Sequence, residues 1–120
     1  MMSAERNLES ISYDWDRAPI ICELDGYRWH LGPEAEDELN WADAKVWCES
    51  VGGELPPRDI LLQAYLNDHI KPLFKTECHW SSTELGAELA CLQSFSSGYQ
   101  GNGFKYDTYA YVRAVKKVKI

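Results

Sequence analysis

Apolar residues along this chain recur at two periods, and the switch between them separates a helical front half, led by a hairpin, from a strand-rich back half. Ile20 to Leu24 and Tyr27 to Leu31 read as two strands joined by Asp25-Gly26, a dipeptide suited to a tight hairpin turn. By the period of two, Tyr27, Trp29 and Leu31 share one face and His30 lies on the other. Asn40 then caps a helix from Trp41 to about Val51, in which Trp41, Ala44, Cys48 and Val51 form one apolar stripe with Trp47 at its margin. Asp43 suits the helix dipole in the first turn, and Gly52-Gly53 supplies the stop. Pro56-Pro57 imposes an extended link, after which Asp59 caps a second helix that begins at Ile60 and ends before Pro72. Leu62, Tyr65, Leu66 and His69 share a face of that helix.

The stretch His79-Trp80-Ser81-Ser82-Thr83-Glu84 joins the two halves, and Trp80 reads as its buried anchor with small hydroxyl residues bonding neighbouring backbone. A turn at Leu85-Gly86 returns the chain as a strand over 87–95, which sets Trp80 near Cys91. Residues 96–108 read as a loop rich in Gly, Ser and aromatic residues, and Tyr109 to Val115 as the closing strand. Lys116-Lys117-Val118-Lys119 is a strand edge protected by lysines. The first dozen residues lack periodicity and read as a loose or marginally helical lead-in, followed by a turn at Asp14 to Pro19. The expectation is an α+β fold in a single domain over 1–120, with 1–18 as lead-in and 19–120 as core.

At 120 residues the chain is long enough to bury about two-thirds of its unfolded surface in one core. Met1 to Asn7 holds no apolar run, and every apolar stretch falls far short of the roughly 20 residues of a membrane span, so a soluble cytoplasmic protein is expected. Cys22, Cys48, Cys78 and Cys91 include no Cys-x-x-Cys pair and read as reduced, buried, small apolar groups; a disulfide stays open, with three connectivities. Cys78 and His79 would point to opposite strand faces, so no zinc site is expected. Residues 1–70 carry 15 acidic and 5 basic side chains, a net of −10, and residues 71–120 carry 4 and 7, a net of +3. That balance argues against direct nucleic-acid binding, whose phosphate contacts need clustered Lys and Arg. The run Glu34-Ala35-Glu36-Asp37-Glu38 is either a solubilising loop or a patch that steers the protein to a basic partner.

Six segments together resemble, in the same order, the DUF1566 (Lcl C-terminal) group of bacterial and phage proteins. They are Trp41-Ala42-Asp43-Ala44 with Cys48, Gly53-Glu54-Leu55-Pro56-Pro57, Ile60-Leu61, Trp80-Ser81-Ser82-Thr83, Phe95-Ser96-Ser97-Gly98 and Tyr111-Val112-Arg113-Ala114-Val115. The resemblance spans about residues 20 to 115 and rests most on the Trp-Ser-Ser-Thr block and the Tyr-Val-Arg segment. It implies a C-type-lectin-like fold, related to the formylglycine-generating enzyme scaffold, with two helices on a small twisted antiparallel sheet and first and last strands paired. The family's usual Arg-Leu-Pro-Thr is Glu54-Leu55-Pro56-Pro57 here, so any contact made by that arginine is absent or moved. Calcium-dependent lectins carry a long loop and a Glu-Pro-Asn or Gln-Pro-Asp sugar motif where only Glu84-Leu85-Gly86-Ala87 stands, too few oxygen ligands for calcium.

Catalysis would need a nucleophile with a base, or paired carboxylates in a cleft. His79, Ser81 and Thr83 would share one strand face and Ser82 and Glu84 the other, so no such set converges, and no copper-binding cysteine pair like that of the formylglycine-type enzymes can be placed. The expectation is therefore a non-enzymatic module without cofactor or metal. Its partner is a protein with a basic surface, bound through Tyr99, Asn102, Phe104, Tyr106 and Asp107 of the glycine-punctuated loop and through Glu34, Glu36, Asp37 and Glu38. The alternative for the loop is that two of its three rings fold inward to cover the sheet. With the resemblance, the leading reading is a phage or prophage accessory protein that binds and inhibits a host defence or nuclease complex in the host cytoplasm. The runners-up are a virion or cell-surface receptor-binding domain for protein or glycan, and a small hydrolase built on Ser81 or Ser82. Oligomeric state is open, with Trp15 or Trp47 as a dimer patch if exposed.

Overall fold

The computed structural model describes residues 13–120; the lead-in expected over the first dozen residues lies outside them. The chain runs β1 (Ile20–Leu24), β2 (Tyr27–Glu34), α1 (Trp41–Ser50), α2 (Arg58–Leu66), β3 (Cys78–Glu84), β4 (Leu89–Ser94), β5 (Gln100–Phe104) and β6 (Arg113–Lys119), with single 3-10 turns at Trp15–Arg17 and Lys71–Leu73. The architecture is α+β, with the strands in two antiparallel sheets, β1-β2-β6 and β3-β4-β5, rather than the one sheet expected. No helix among the described residues is long and apolar enough to cross a membrane.

Local chemistry explains the front half. Asp25 and Gly26 both adopt positive φ (56° and 83°), the hairpin geometry their sequence predicts, and they bring Leu24 opposite Tyr27. The side chain of Asn40 accepts a hydrogen bond from the Asp43 amide at 2.9 Å, which closes the start of α1. Gly52, at φ 83°, turns the chain out of that helix. α2 departs from expectation twice. Its first residue follows Pro57, with Asp59 inside the first turn, and it buries Ile60, Leu61 and Ala64 while Leu62 and Leu66 face solvent.

Tertiary pairing builds the back half. β6 closes the first sheet against β2, the returning strand of the hairpin, and not against the first strand as the resemblance implied; the pairing runs from Tyr27↔Lys119 to Glu34↔Arg113. It begins four residues later than the sequence predicts, because Ala110 to Val112 bond other segments. Ala110 bridges Leu39, and Tyr111 bridges His79. β5 occupies part of the stretch read as loop. Gly101 and Gly103 carry no strand preference of their own, yet they sit opposite Leu92 and Ala90 of β4.

Two apolar clusters flank β3 and β4, whose central residues are buried on both faces. One gathers α1 through Trp41, Ala44 and Cys48 with Trp80, Leu92 and Val112; the other gathers α2 through Ile60, Leu61 and Ala64 with Trp29, Leu31, Phe74 and Phe95. Trp80 is fully buried, and its Nε1 donates to Leu39 O at 2.8 Å while its amide donates to Tyr111 O at 3.0 Å. It stands opposite Leu92, one residue from the expected Cys91. Two more indoles staple backbone in the same way: Trp41 Nε1 to Ser81 O and Trp15 Nε1 to Val51 O, each at 2.9 Å. Trp15 lies against Gly32 and Gly53, where an added Cβ would meet its ring at 2.2 Å and 2.9 Å, so it packs inside this molecule and offers no dimer patch.

Replacing Trp80 with Ala should lower unfolding stability by about 3–5 kcal/mol through the cavity and the loss of the indole's bond to Leu39 O, which then keeps only the Ala110 amide. Trp80→Phe should retain part of that difference. Urea titrations followed by circular dichroism measure both, and a loss below about 1 kcal/mol for the alanine variant would contradict the anchor role.

Candidate functional site

The acidic run splits into an inner and an outer part. Glu34 ends β2 with its side chain largely buried, where Oε1 is 3.1 Å from an Arg113 guanidinium nitrogen and Oε2 is 3.1 Å from Lys75 Nζ. Arg113 is held in turn, its Nε donating to Gly32 O at 2.9 Å and its Nη1 to Leu73 O at 2.7 Å. His79 is fully buried between Phe74 and Phe95, each ring 5.1 Å away, with Nδ1 3.0 Å from Glu77 O and Nε2 3.8 Å from Glu34 Oε2. Burial alone would raise the Glu34 carboxyl, but the neighbouring His79 and Lys75 outweigh it and hold the group down at about 2. Glu34 is therefore an internal ion-pair residue, which corrects its assignment to a partner surface. Glu36, Asp37 and Glu38 remain exposed.

The rings of the 99–109 segment point outward. Tyr99 is 72% exposed, Phe104 55%, Tyr106 66% and Tyr109 58%, so none of them covers the sheet. They do not form one patch, however. Alternation along β5 places Tyr99 on the face of Gly101 and Gly103, and Asn102 and Phe104 on the opposite face. Tyr99 and Asn102 help line an open cleft of about 350 Å³ with Cys78, Leu92 and Gly101. Tyr106 and Asp107 lie in the turn after β5, and both are exposed.

That turn is clamped against the acidic loop. Leu39 and Ala110 exchange both backbone hydrogen bonds (2.9 and 3.1 Å), Ala35 N donates to Val112 O at 3.0 Å, and Trp41 N donates to Lys105 O at 3.0 Å. Lys105 is the buried pin of the turn. Its Nζ bonds the Glu84 carboxylate and Ala87 O, and it sits 4.6 Å from the Trp41 ring centroid. The Lys105 ammonium holds the Glu84 carboxyl below the usual carboxylate range. Glu38 and Tyr109 thus flank the Leu39–Ala110 bridge, with Glu36 and Asp37 further along one segment and Tyr106 and Asp107 along the other, while Tyr99 precedes β5 and Asn102 lies at its middle. Sequence reading missed Tyr109 by assigning it to the closing strand, and it missed Lys105 because a lysine between aromatics in a glycine-rich run looks solvated.

Of the candidate reactive groups, Ser81 and His79 lie inside the molecule. The Ser81 hydroxyl is buried and donates to Cys91 O at 2.8 Å. Loss of water contact, complete or partial, pushes all four thiols up, Cys48 to about 12 with Glu49 and Glu54 adding to the effect and Cys78 with help from Glu77. All four cysteines are free, and Cys78 is exposed rather than buried as expected. No protein-family model matches this chain, and no curated protein sequence matches it.

The ion pairs at Glu34 make stability depend on acid. The folded carboxyl takes its proton near 2 and the unfolded one near its ordinary 4.5, so the stabilisation is complete above 4.5 and drains away as pH falls from there toward 2. Glu34→Gln should lose on the order of 3 kcal/mol at pH 7, with the gap to the parent protein narrowing below pH 4. Chemical denaturation across pH 2.5 to 7 checks this, and a gap independent of pH would contradict it.

Proposed function

We propose that this chain is a non-enzymatic, protein-binding module on a C-type-lectin-like scaffold, and that it recognises a partner with a basic surface. The observation that carries this reading is the joining of exposed Tyr106 and Tyr109 to exposed Glu36, Asp37 and Glu38 across the Leu39–Ala110 bridge. Rings held on a braced turn give contact area with little loss of side-chain freedom, and adjacent carboxylates steer a cationic partner into place. Asp107, exposed beside Tyr106 in the same turn, adds a further carboxylate. The burial of Ser81 and His79 also favours recognition over hydrolysis. The likeness of the Trp-Ser-Ser-Thr and Tyr-Val-Arg segments to bacterial and phage proteins supports the fuller reading, an accessory protein that inhibits a host defence or nuclease complex in the host cytoplasm.

Affinity capture from a bacterial host lysate should recover one protein complex, and recovery should fall as NaCl rises from about 0.1 to about 0.5 M. Tyr106→Ala with Tyr109→Ala should reduce recovery about tenfold or more, as should neutralising Glu36, Asp37 and Glu38 together. Undiminished capture by both variants would overturn the surface, and finding the chain as a component of purified virions would favour receptor binding instead.

A further inference from the structure

The two small sheets treat their edges differently. β6 carries Lys116, Lys117 and Lys119, and its outer side exchanges backbone bonds with Glu54 through Val115. β1 carries Glu23 and an irregular register between Ile20 and Cys22, and Asn67 Nδ2 donates to Ile21 O at 3.1 Å. The outer side of β3 is covered by Tyr111, which bonds Cys78 and Trp80, and by Pro56, whose carbonyl accepts from Ser82 N. β5 has none of these devices. From Ser94 to Phe104 the chain holds no charged residue and no proline.

The hydrogen-bond pattern fixes which groups that edge presents. Tyr99 O accepts from Ser94 N and Lys105 N donates to Glu88 O, so the odd-numbered residues of this run face β4. Phe104 faces the other way, where its amide and carbonyl meet Thr108. Gln100 and Asn102 share that outward direction, and among the described residues their backbone groups have no partner there.

We propose that this edge joins a second copy of the chain, β5 against β5 in antiparallel register about a two-fold axis at Gly101. Gln100 then exchanges both backbone bonds with Asn102 of the other copy, and Gly101 faces its own equivalent without side-chain conflict. On one face each Tyr99 ring lies over Gly101 of its own chain, so the rings of the two copies come together beside the axis. On the other face Gln100 meets Asn102. The Nε2 of Gln100 already donates to Arg58 O (2.9 Å) and Gln93 Oε1 (2.7 Å), which leaves its Oε1 to accept from the incoming amide. The chain's charge of −7 opposes self-association elsewhere, and this is the stretch where two copies approach without opposed carboxylates. The product is a six-stranded sheet, β3-β4-β5-β5-β4-β3, and it leaves Tyr106, Tyr109 and the acidic loop of both copies accessible.

Sedimentation equilibrium of the full chain in reductant, from about 1 to about 500 µM, should show the mass rising toward twice 13.8 kDa, in the range of a weak interface. Over the same range, amide exchange at Gln100 and Asn102 should slow at least about tenfold, since only pairing protects those two amides. Asn102→Pro removes an outward donor without touching the β4 ladder and should give a folded monomer. If that variant loses its circular dichroism, Asn102→Lys serves in its place. A chain that stays monomeric throughout overturns the proposal, whether or not a partner peptide takes the edge, and so does a dimer whose Gln100 and Asn102 amides exchange freely or that survives both variants.

Discussion

A single indole ties together segments that have no local reason to meet. Trp80 sits on β3, donates from its ring to Leu39 at the end of the acidic loop, and donates from its amide to Tyr111 just before β6. Water cannot compete at a site with no solvent exposure, so each of these bonds must be made inside the molecule or left unmade at a cost of about 1–3 kcal/mol. Leu39 and Tyr111 are thereby fixed relative to β3, and with them the Leu39–Ala110 bridge that sets the acidic loop beside the ring-bearing turn. Trp41 and Trp15 repeat the device at the two ends of α1. The surface offered to a partner is thus a consequence of how the interior satisfies its carbonyls.

Charge is sorted by the same scaffold. Of the four acids between Glu34 and Glu38, one faces inward onto Arg113 and Lys75, and three face solvent. The inward one closes the far end of β2 onto β6, and it gives the Tyr-Val-Arg segment a physical role, since its arginine bonds both Glu34 and two backbone carbonyls. Lys105 does for the 105–109 turn what Arg113 does for the sheet end. Each is a cation drawn out of water only where a carboxylate and backbone oxygens surround it.

How much of this was legible in the sequence follows the range of the forces involved. The hairpin at Asp25-Gly26 and the helix opened by Asn40 and closed by Gly52 are set by neighbours within a few residues, and both were readable. The buried Trp80 was readable as well, because a large ring flanked by hydroxyls has few other uses. The face of α2 was not, since Ile60-Leu61-Leu62 offers apolar side chains in three directions and docking decides between them. β5 was invisible for a related reason: a Gly-x-Gly strand acquires its conformation from β4, not from its own propensities. Glu34 reads like Glu36 or Glu38 until Arg113, far along the chain, is known to lie beside it. Whether the rings of the 99–107 stretch face outward or cover the sheet was left open by the sequence, and both their exposure and their division between two faces needed the tertiary pairing.

The pairing of β2 with β6 carries a kinetic implication. Tyr27 meets Lys119 and His30 meets Lys116, contacts that span most of the chain, while the second sheet is assembled from hairpins with short connections. Long-range closure loses more chain entropy before any contact rewards it, so the second sheet with its α1 cover is poised to form early and the first sheet to complete last. During translation, α2 and Phe74 can cover Trp29 and Leu31, but the backbone edge of β2 has to wait unpaired until residues 113–119 are available. That interval is when nascent chains are most exposed to aggregation or to capture by chaperones.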